Sequence, residues 1–257
     1  MNNPTTSNRI ALITGASRGI GRSDALSLAA QGVDIIVTYL TSAAEAERVV
    51  KQIKEMGRRA VALQLDIGSA STFSRFAEDV RTVLQHTWQR ENFDFLVNNA
   101  GTGVYATLAD TTEEEFDLMT NTHLKGTFFL TQKLLPLIVD GGRIINTSSG
   151  LTRFTFTGYA AYAAAKGGIE VLTRFMAKEL GPRNISVNVI APGATETDFG
   201  GGALRDNADL NTQFGGMTAL SRNAVPDDIG GVVAALLSEN AGWINGQRIE
   251  ASGGLLL

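Results

Sequence analysis

The alternation of short aliphatic runs with longer helix-period segments constrains the fold of this chain more than any other feature. Helices that end at Gly32 and Gly57 are predicted for the first two of these segments, since glycine is the commonest residue at a helix C-terminus. Most of the aliphatic runs show no polar alternation, so both faces of the sheet are expected to be covered. The sequence therefore predicts an α/β fold with a parallel sheet and helices on both faces. The strand-forming runs, about seven by this reading, are RIALITG, VDIIVTY, RAVALQLD, FDFLVNNAG, RIINTSSG, ISVNVIAPG and QRIEAS.

The alternation continues from end to end, which predicts one domain over residues 1–257. No linker, low-complexity tract or internal repeat interrupts it. The exception is the segment 194–217, ATETDFGGGALRDNADLNTQFGGM, which is rich in Gly, Asn and Asp. It is predicted to be a long irregular loop, and loops of that length in compact domains are usually functional or mobile.

Composition excludes several classes of function. Lys and Arg number 22 against 26 Asp and Glu, a net charge of −4, so neither nucleic acid nor an anionic membrane is expected as a partner. The absence of cysteine excludes disulfides, zinc–thiolate sites and thiol nucleophiles, and no metal site is predicted. The N-terminal MNNPTTSNR lacks the pattern of a signal peptide, and no apolar run reaches the roughly 20 residues of a membrane span. A soluble, cytoplasmic protein is expected.

A glycine-rich turn, TGASRGIG, follows the first predicted strand and opens the first predicted helix. Gly15, Gly19 and Gly21 allow the backbone to turn tightly and to approach a pyrophosphate, whose charge the helix N-terminus favours. Ligands of open α/β sheets bind at the carboxyl ends of the strands. The turn therefore predicts a dinucleotide site.

Five motifs in order and spacing, covering nearly the whole chain, resemble the short-chain dehydrogenase/reductase family. They are TGxxxGxG at the first turn, NNAG at 98–101, YxxxK at 162–166, PG at 192–193 and a terminal GQ…GG pattern. The resemblance is closest to 3-oxoacyl-carrier-protein reductases and carbonyl reductases. It implies a Rossmann-type doubly wound sheet, a single dinucleotide-binding and catalytic domain, and hydride transfer between a nicotinamide and a ketone or secondary alcohol. It also implies a homotetramer that uses the helices at 113–135 and 158–181 and the C-terminal segment.

The resemblance also implies a set of cofactor contacts. Asp66 corresponds to the family's adenine contact, and its other interpretation is an N-cap for the next helix. The remaining positions lie in the glycine turn, after the second and third strands, in NNAG, in YxxxK and after the sixth strand. These positions are Gly15, Ser17, Arg18, Gly19, Ile20, Gly21, Thr41, Ser42, Asp66, Ile67, Asn98, Ala100, Gly101, Tyr162, Lys166, Pro192, Gly193, Thr195 and Thr197.

The end of the second strand favours NADP(H) over NAD(H). NAD-binding chains usually place a carboxylate there for the ribose 2′-hydroxyl, and Thr38 through Ser42 include none. A 2′-phosphate would instead meet Arg18 and the hydroxyls of Thr41 or Ser42. Arg18 is also open to a plainer interpretation as a solvated loop arginine.

Tyr162 and Lys166 are the predicted catalytic pair. They lie four positions apart, so a helix places them on one face. A nearby ammonium is expected to lower the tyrosine pKa from about 10 and to prepare it for proton transfer. Ser148 and Ser149 both compete to hydrogen-bond the substrate oxygen. The family's spacing selects Ser149, and Ser148 should then face the other side of the strand.

His123 occupies the position at which many relatives carry an asparagine that serves a proton relay. Aligning LKGTF with Leu124–Phe128 gives this register, and Asn121 lies about 200° away around a helix. Two interpretations stay open: a relay through the imidazole, or simple packing against the sheet. A relay through a titrating imidazole should appear in the rate near its ordinary pKa of about 6.5.

Two alternatives accompany the reductase prediction. A dinucleotide-binding regulator without turnover is disfavoured by the intact Ser/Tyr/Lys set, and an enoyl reductase is disfavoured by the short YxxxK spacing. Segment 194–217 is expected to be the substrate lid and selector. Its apolar residues are Phe199, Leu204, Leu210, Phe214 and Met217.

Overall fold

The computed structural model describes residues 9–257 and contains one parallel sheet of seven strands. The prediction that MNNPTTSNR is not a signal peptide concerns residues 1–9, of which 1–8 lie outside the described residues. The strands are β1 (Ile10–Ile13), β2 (Asp34–Tyr39), β3 (Ala60–Gln64), β4 (Phe93–Asn98), β5 (Ile138–Thr147), β6 (Ser186–Pro192) and β7 (Arg248–Ala251). The α-helices are α1 (Gly19–Ala30), α2 (Ala43–Glu55), α3 (Phe73–Val83), α4 (Glu113–Met119), α5 (Gly126–Leu134), α6 (Ala160–Leu180), α7 (Ala203–Asp206), α8 (Ala208–Gly216) and α9 (Pro226–Leu237).

The strand order is β3-β2-β1-β4-β5-β6-β7, which confirms the predicted doubly wound fold. The order reverses between β1 and β4, so a crevice opens at the carboxyl ends of these two strands. One face of the sheet carries α1, α2 and α9, and the other carries α3, α5 and α6. Along β1 the buried residues alternate between the two cores, with Ile13 on one side and Leu12 on the other. Burial on both faces is the reason that the strands are apolar without alternation.

The helix predicted over 113–135 is one continuous element with a π-helical turn in its middle. A capping box of Thr112 and Glu115 starts it, with each side chain bonded to the other's backbone. The π-turn covers Thr120–Lys125 and contains His123. Such turns inside α-helices are frequent at functional sites because the extra residue re-aims the neighbouring side chains.

The prediction of an irregular loop over 194–217 is wrong in its second half. A 3₁₀ turn at Phe199–Gly202 is followed by α7 and α8. Asn207 caps α8 by accepting a hydrogen bond from the backbone of Leu210 at 3.0 Å. The glycine run at 200–202, where all three residues have positive φ, is the irregular part that precedes the two helices.

Within residues 9–257, no helix combines the length and apolar character needed to cross a bilayer.

Candidate active site

The glycine turn lies at the switch point, between the end of β1 and the start of α1. Gly15 and Gly19 have φ of 65° and 56°, which favours glycine. A Cβ at Gly15 would lie 2.8 Å from the Cα of Ala100, so the turn is packed directly against the chain after β4. On its other side the turn is bonded to β2, where the Thr38 hydroxyl accepts from the Gly15 N–H at 3.1 Å. The result is a narrow backbone cradle at a helix N-terminus.

Asn99, which sequence reasoning missed, fastens the turn to β4. Its amide donates to the carbonyls of Thr14 and Gly15 at 3.0 and 3.3 Å. The backbone N–H groups of Asn99 and Ala100 both donate to the Thr14 hydroxyl at 2.9 Å. The side chain of Asn98 instead turns into the sheet and donates to Asn146 at 2.9 Å. Asn99 is the second asparagine of NNAG and stands between the predicted contacts Asn98 and Ala100. That position in the motif is the sequence signal that could have identified its role.

The predicted phosphate and adenine contacts lie along the same edge. Arg18 is exposed at the turn, and its Nε lies 3.7 Å from a carboxylate oxygen of Asp198 in the 194–217 segment. Thr41 and Ser42 follow β2, with Ser42 directly before α2. The N-cap interpretation of Asp66 is wrong. Its carboxylate accepts from the Gly68 N–H at 2.9 Å, a local turn that keeps the side chain away from the start of α3.

The loop after β6 brings its predicted residues over the glycine turn. A Cβ at Gly193 would lie 2.8 Å from Ser252, so only glycine fits beside the end of β7. The Thr195 hydroxyl donates to the Gly193 carbonyl at 3.0 Å. Thr197 reaches the turn itself, because its Cγ2 is 3.6 Å from the position of a Cβ on Gly19. This loop and the turn therefore form two walls of one cleft.

Ser149, Tyr162 and Lys166 meet at the inner end of that cleft. Tyr162 and Lys166 lie on α6, buried to 7% and 4% exposure. The Lys166 ammonium donates to the Thr147 carbonyl at 2.6 Å and lies 5.7 Å from the Tyr162 ring centroid. Ser149 accepts from the Leu151 N–H at 3.2 Å. Its side chain is close enough to Tyr162 to lower the pKa of that phenol.

Burial sets the ionisation of this pair. It raises the pKa of Tyr162 to about 12, against a smaller opposing effect of the Ser149 hydrogen bond. It lowers the pKa of Lys166 to about 7. The expected lowering of the tyrosine pKa by the ammonium is therefore wrong, because desolvation raises that pKa instead. Tyr162 is a neutral phenol at neutral pH, and Lys166 loses its proton far more easily than an exposed lysine.

His123 packs edge-on against Tyr162, with ring centroids 5.0 Å apart. Its Nε2 donates to the Thr102 carbonyl at 2.7 Å, since a carbonyl can only accept. Burial first, and the Lys166 charge second, lower its pKa to about 3 against the effect of the Thr102 bond. The imidazole is therefore neutral, and the rate titration expected near pH 6.5 should be absent. Its Nδ1 is buried without a hydrogen-bond partner in residues 9–257.

Aromatic rings of the segment 194–217 pack against Tyr162 and against the loop before α6. Phe199 lies 5.4 Å from Tyr162 between ring centroids. It rests on Gly103, where a Cβ would lie 2.5 Å from the ring. Phe214 packs edge-on against Phe156 at 5.1 Å. The other apolar residues predicted for the selector, Leu204, Leu210 and Met217, are half-buried.

Comparison with known proteins gives a family and several close folds. The family model described as enoyl-(acyl carrier protein) reductase matches residues 15–256. The hydroxynaphthalene reductase-like protein Arp2 of Metarhizium brunneum is 35% identical over 257 residues, covering 96% of this chain and 94% of that protein. Among solved structures, the reductase LugOII, which catalyses a keto-reduction in lugdunomycin biosynthesis, superposes with a TM-score of 0.93 at 38% identity, covering 99% and 100% of the two chains.

A second solved structure is the angucycline C-6 ketoreductase LanV with bound NADP. It has a TM-score of 0.92 at 38% identity and covers 96% of this chain and 95% of that one. LanV has also been solved with NADP and rabelomycin. These proteins share more than 30% identity with this chain over almost the full length of each. The matching family model and the seven-stranded sheet agree with the motifs read from the sequence. The chain belongs to the short-chain dehydrogenase/reductase family.

Proposed function

We propose that this protein is an NADP(H)-dependent ketoreductase that reversibly interconverts a ketone and a secondary alcohol. The observation that carries the proposal is the group formed by half-buried Ser149 with buried Tyr162 and Lys166, at the inner end of the cleft that starts at the glycine turn. A neutral phenol held against a serine hydroxyl is suited to donate a proton to a carbonyl oxygen.

The residues at the crevice fit a phosphorylated dinucleotide. The turn of Gly15, Gly19 and Gly21 provides backbone N–H groups at a helix N-terminus for a pyrophosphate. Arg18 provides a positive charge, and Thr38 through Ser42 include no carboxylate to repel a 2′-phosphate. The NADP bound by LanV supports the same choice. NADPH, when bound, supplies the hydride.

The protein's own groups would handle the proton and the carbonyl. Ser149 and Tyr162 would both hydrogen-bond the substrate oxygen, and Tyr162 would give up its proton as negative charge develops there. Lys166 would stabilise the resulting phenolate and replace its proton. A pKa of about 7 suits Lys166 to that exchange, since it gains and loses a proton readily near neutrality.

The substrate is an apolar, ring-containing ketone, or a 3-oxoacyl compound, received by Phe199, Phe156 and Phe214. The rabelomycin of LanV and the description of Arp2 support an aromatic ketone. NADPH oxidation should be followed against tetralone-type aromatic ketones, β-ketoesters, oxoacyl thioesters and an enoyl thioester. Turnover of a ketone supports the proposal. Turnover of the enoyl thioester alone would replace it with an enoyl reductase, and binding without turnover across the panel would favour a regulator.

Arg18→Ala tests the cofactor preference. It should raise KM for NADPH at least about tenfold, because a charge-assisted contact to a phosphate contributes about 1.5–3 kcal/mol. KM for NADH should change less than about twofold, since NADH has no 2′-phosphate to lose. Arg22→Ala, a neighbouring arginine on α1 that bonds Gln52, is the matched control. A wild-type preference for NADH would contradict the proposal.

His123 would hold a water at Nδ1 for the exchange of the Lys166 proton. Its Nε2 proton is committed to Thr102, so the ring accepts but does not itself carry the proton. His123→Asn, whose amide oxygen also accepts, should retain activity within about threefold, and His123→Phe should lose about tenfold, the cost of one hydrogen bond. Neither the wild type nor the asparagine variant should show an inflection from residue 123 in kcat between pH 5 and 9. Equal activity in the phenylalanine variant would leave His123 as a packing residue.

A homotetramer is proposed on the helices predicted for it. Four large apolar side chains are exposed on α5 and α6, more than a free helical surface usually carries. These are Phe128, Phe129, Val171 and Phe175. Light scattering should give four times the mass of 27.3 kDa, and Phe175→Glu should lower it.

The segment 194–217 is proposed as a lid over the substrate. Phe199 already covers Tyr162, and the three glycines after it supply a hinge of positive φ.

A further inference from the structure

A charged network lies directly behind Ser149. Glu170 stands four residues after Lys166 on α6, and its Oε1 accepts hydrogen bonds from Ser148 at 2.7 Å and Thr152 at 2.6 Å. These two hydroxyls lie on either side of Ser149 in the chain. One carboxylate oxygen of Glu170 therefore holds the chain on both sides of Ser149, the residue that would orient the substrate.

Arg248 completes the support from the other side of the loop. It projects from β7, and its Nε donates to Glu170 at 2.6 Å, with both side chains less than a quarter exposed. Its terminal Nη2 donates to the Ser149 carbonyl at 3.4 Å and to the Thr152 hydroxyl at 3.2 Å. Arg248 thus contacts the backbone of Ser149 itself.

The same network reaches the C-terminus. Arg248 pairs with Glu250 at 2.5 Å, and Arg153 approaches Glu250 at 3.3 Å. Arg153 also donates to the carbonyls of Leu255 and Leu256 at 2.5 and 3.1 Å. The loop after β5, the last strand and the chain terminus are held as one unit.

We propose that Glu170 and Arg248 are positioning residues for the Ser149 hydroxyl in carbonyl reduction. This rests on the proposed function. Ser149 is only half-buried and follows the end of β5, so the sheet alone does not fix it. Hydrogen bonds to charged groups are about twice as strong as neutral ones, and a partly buried ion pair is screened less than an exposed one. The network holds the chain at Ser148, at Thr152 and at the Ser149 carbonyl, and it makes no bond to the Ser149 hydroxyl.

A double-mutant cycle tests the proposal with NADPH and a reduced ketone. Glu170→Leu should lower kcat about tenfold, since one misplaced hydrogen bond to the carbonyl oxygen corresponds to about 1.4 kcal/mol. Glu170→Gln, which keeps acceptor atoms, should recover part of the loss. The dissociation constant for NADPH should stay within about twofold, because the cofactor turn is not part of the network. In a Ser149→Ala background, Glu170→Leu should cost less than about twofold, because the group it positions is already absent.

Several outcomes are distinguishable. Equal losses from Glu170→Leu in the wild-type and Ser149→Ala backgrounds, or no loss in either, would overturn the positioning role while leaving the reductase proposal intact. If the wild type reduces no ketone at all, the proposed function itself fails. Thr152→Val and Arg248→Gln provide the same cycle if Glu170→Leu does not fold, and Glu179→Gln, an exposed carboxylate on the same helix, is the matched control.

Discussion

Replacing Tyr162 by phenylalanine should lower kcat for ketone reduction about 1,000-fold, within the range attributed to general acid catalysis. The substitution removes one oxygen atom and keeps the ring. The contacts of that ring with His123 and Phe199 are edge-on or tilted and do not need the hydroxyl. The buried site would therefore keep its shape while losing the phenolic proton beside Ser149. Steady-state NADPH oxidation measures the loss.

The affinity of Tyr162→Phe for NADPH shows whether its loss of activity comes from the missing proton donor or from a damaged site. NADPH should bind Tyr162→Phe within about fivefold of wild type by fluorescence titration, because a hydroxyl contributes only about 1 kcal/mol or less to such a contact. Tyr159→Phe is the matched control. Tyr159 packs edge-on against Tyr105 at 5.5 Å, three residues away from Tyr162, and has no lysine one turn on. Substantial turnover by Tyr162→Phe would remove this residue from the proton-transfer role.

Asp24→Ala should raise the free energy of unfolding by about 2 kcal/mol or more, the cost of an unsatisfied buried polar group. Asp24 lies in the second turn of α1 with no exposed surface. Neither of its carboxylate oxygens has a hydrogen-bond partner within residues 9–257. Alanine also has the higher helix propensity and leaves only a small void. In calorimetry this corresponds to a rise in Tm of about 4–8 °C for a chain of this size.

The stability advantage of Asp24→Ala over the wild type should increase with pH. Burial raises the pKa of Asp24 well above its ordinary value. Below the pKa of the unfolded chain the group is protonated in both states, and the raised native pKa costs nothing. As pH rises through the unfolded value towards the native one, only the unfolded chain releases its proton, so the native state loses stability.

Denaturant unfolding at pH 4 and pH 7 measures this difference for the wild type, Asp24→Ala and Asp24→Asn. The advantage of alanine should be larger at pH 7. Asparagine should remove the pH-dependent part but keep the cost of a buried polar group. If Asp24→Ala is no more stable than wild type at either pH, the carboxylate is satisfied by groups such as buried water, and the predicted penalty does not exist.

The sequence predicted well those features that depend on neighbours along the chain. The seven strands follow from aliphatic runs, and the helix N-terminus at Gly19 follows from the glycine turn. Tyr162 and Lys166 share a helix because four residues span about one turn. The helix α8 was missed, since its capping signal at Asn207 was obscured by a Gly-rich and Asn-rich composition.

Periodicity and spacing thus determined by themselves that this chain forms a parallel sheet with helices on both faces, makes a glycine turn after β1 and carries Tyr162 and Lys166 on one helix face. The tertiary structure decided their chemistry. Burial raises the tyrosine pKa to about 12 and lowers that of His123 to about 3, an outcome set by residues distant in the chain. The bond between Arg248 and Glu170 joins residues 78 positions apart. Local sequence patterns fix which segments form, whereas desolvation and long-range pairing exist only after those segments have packed.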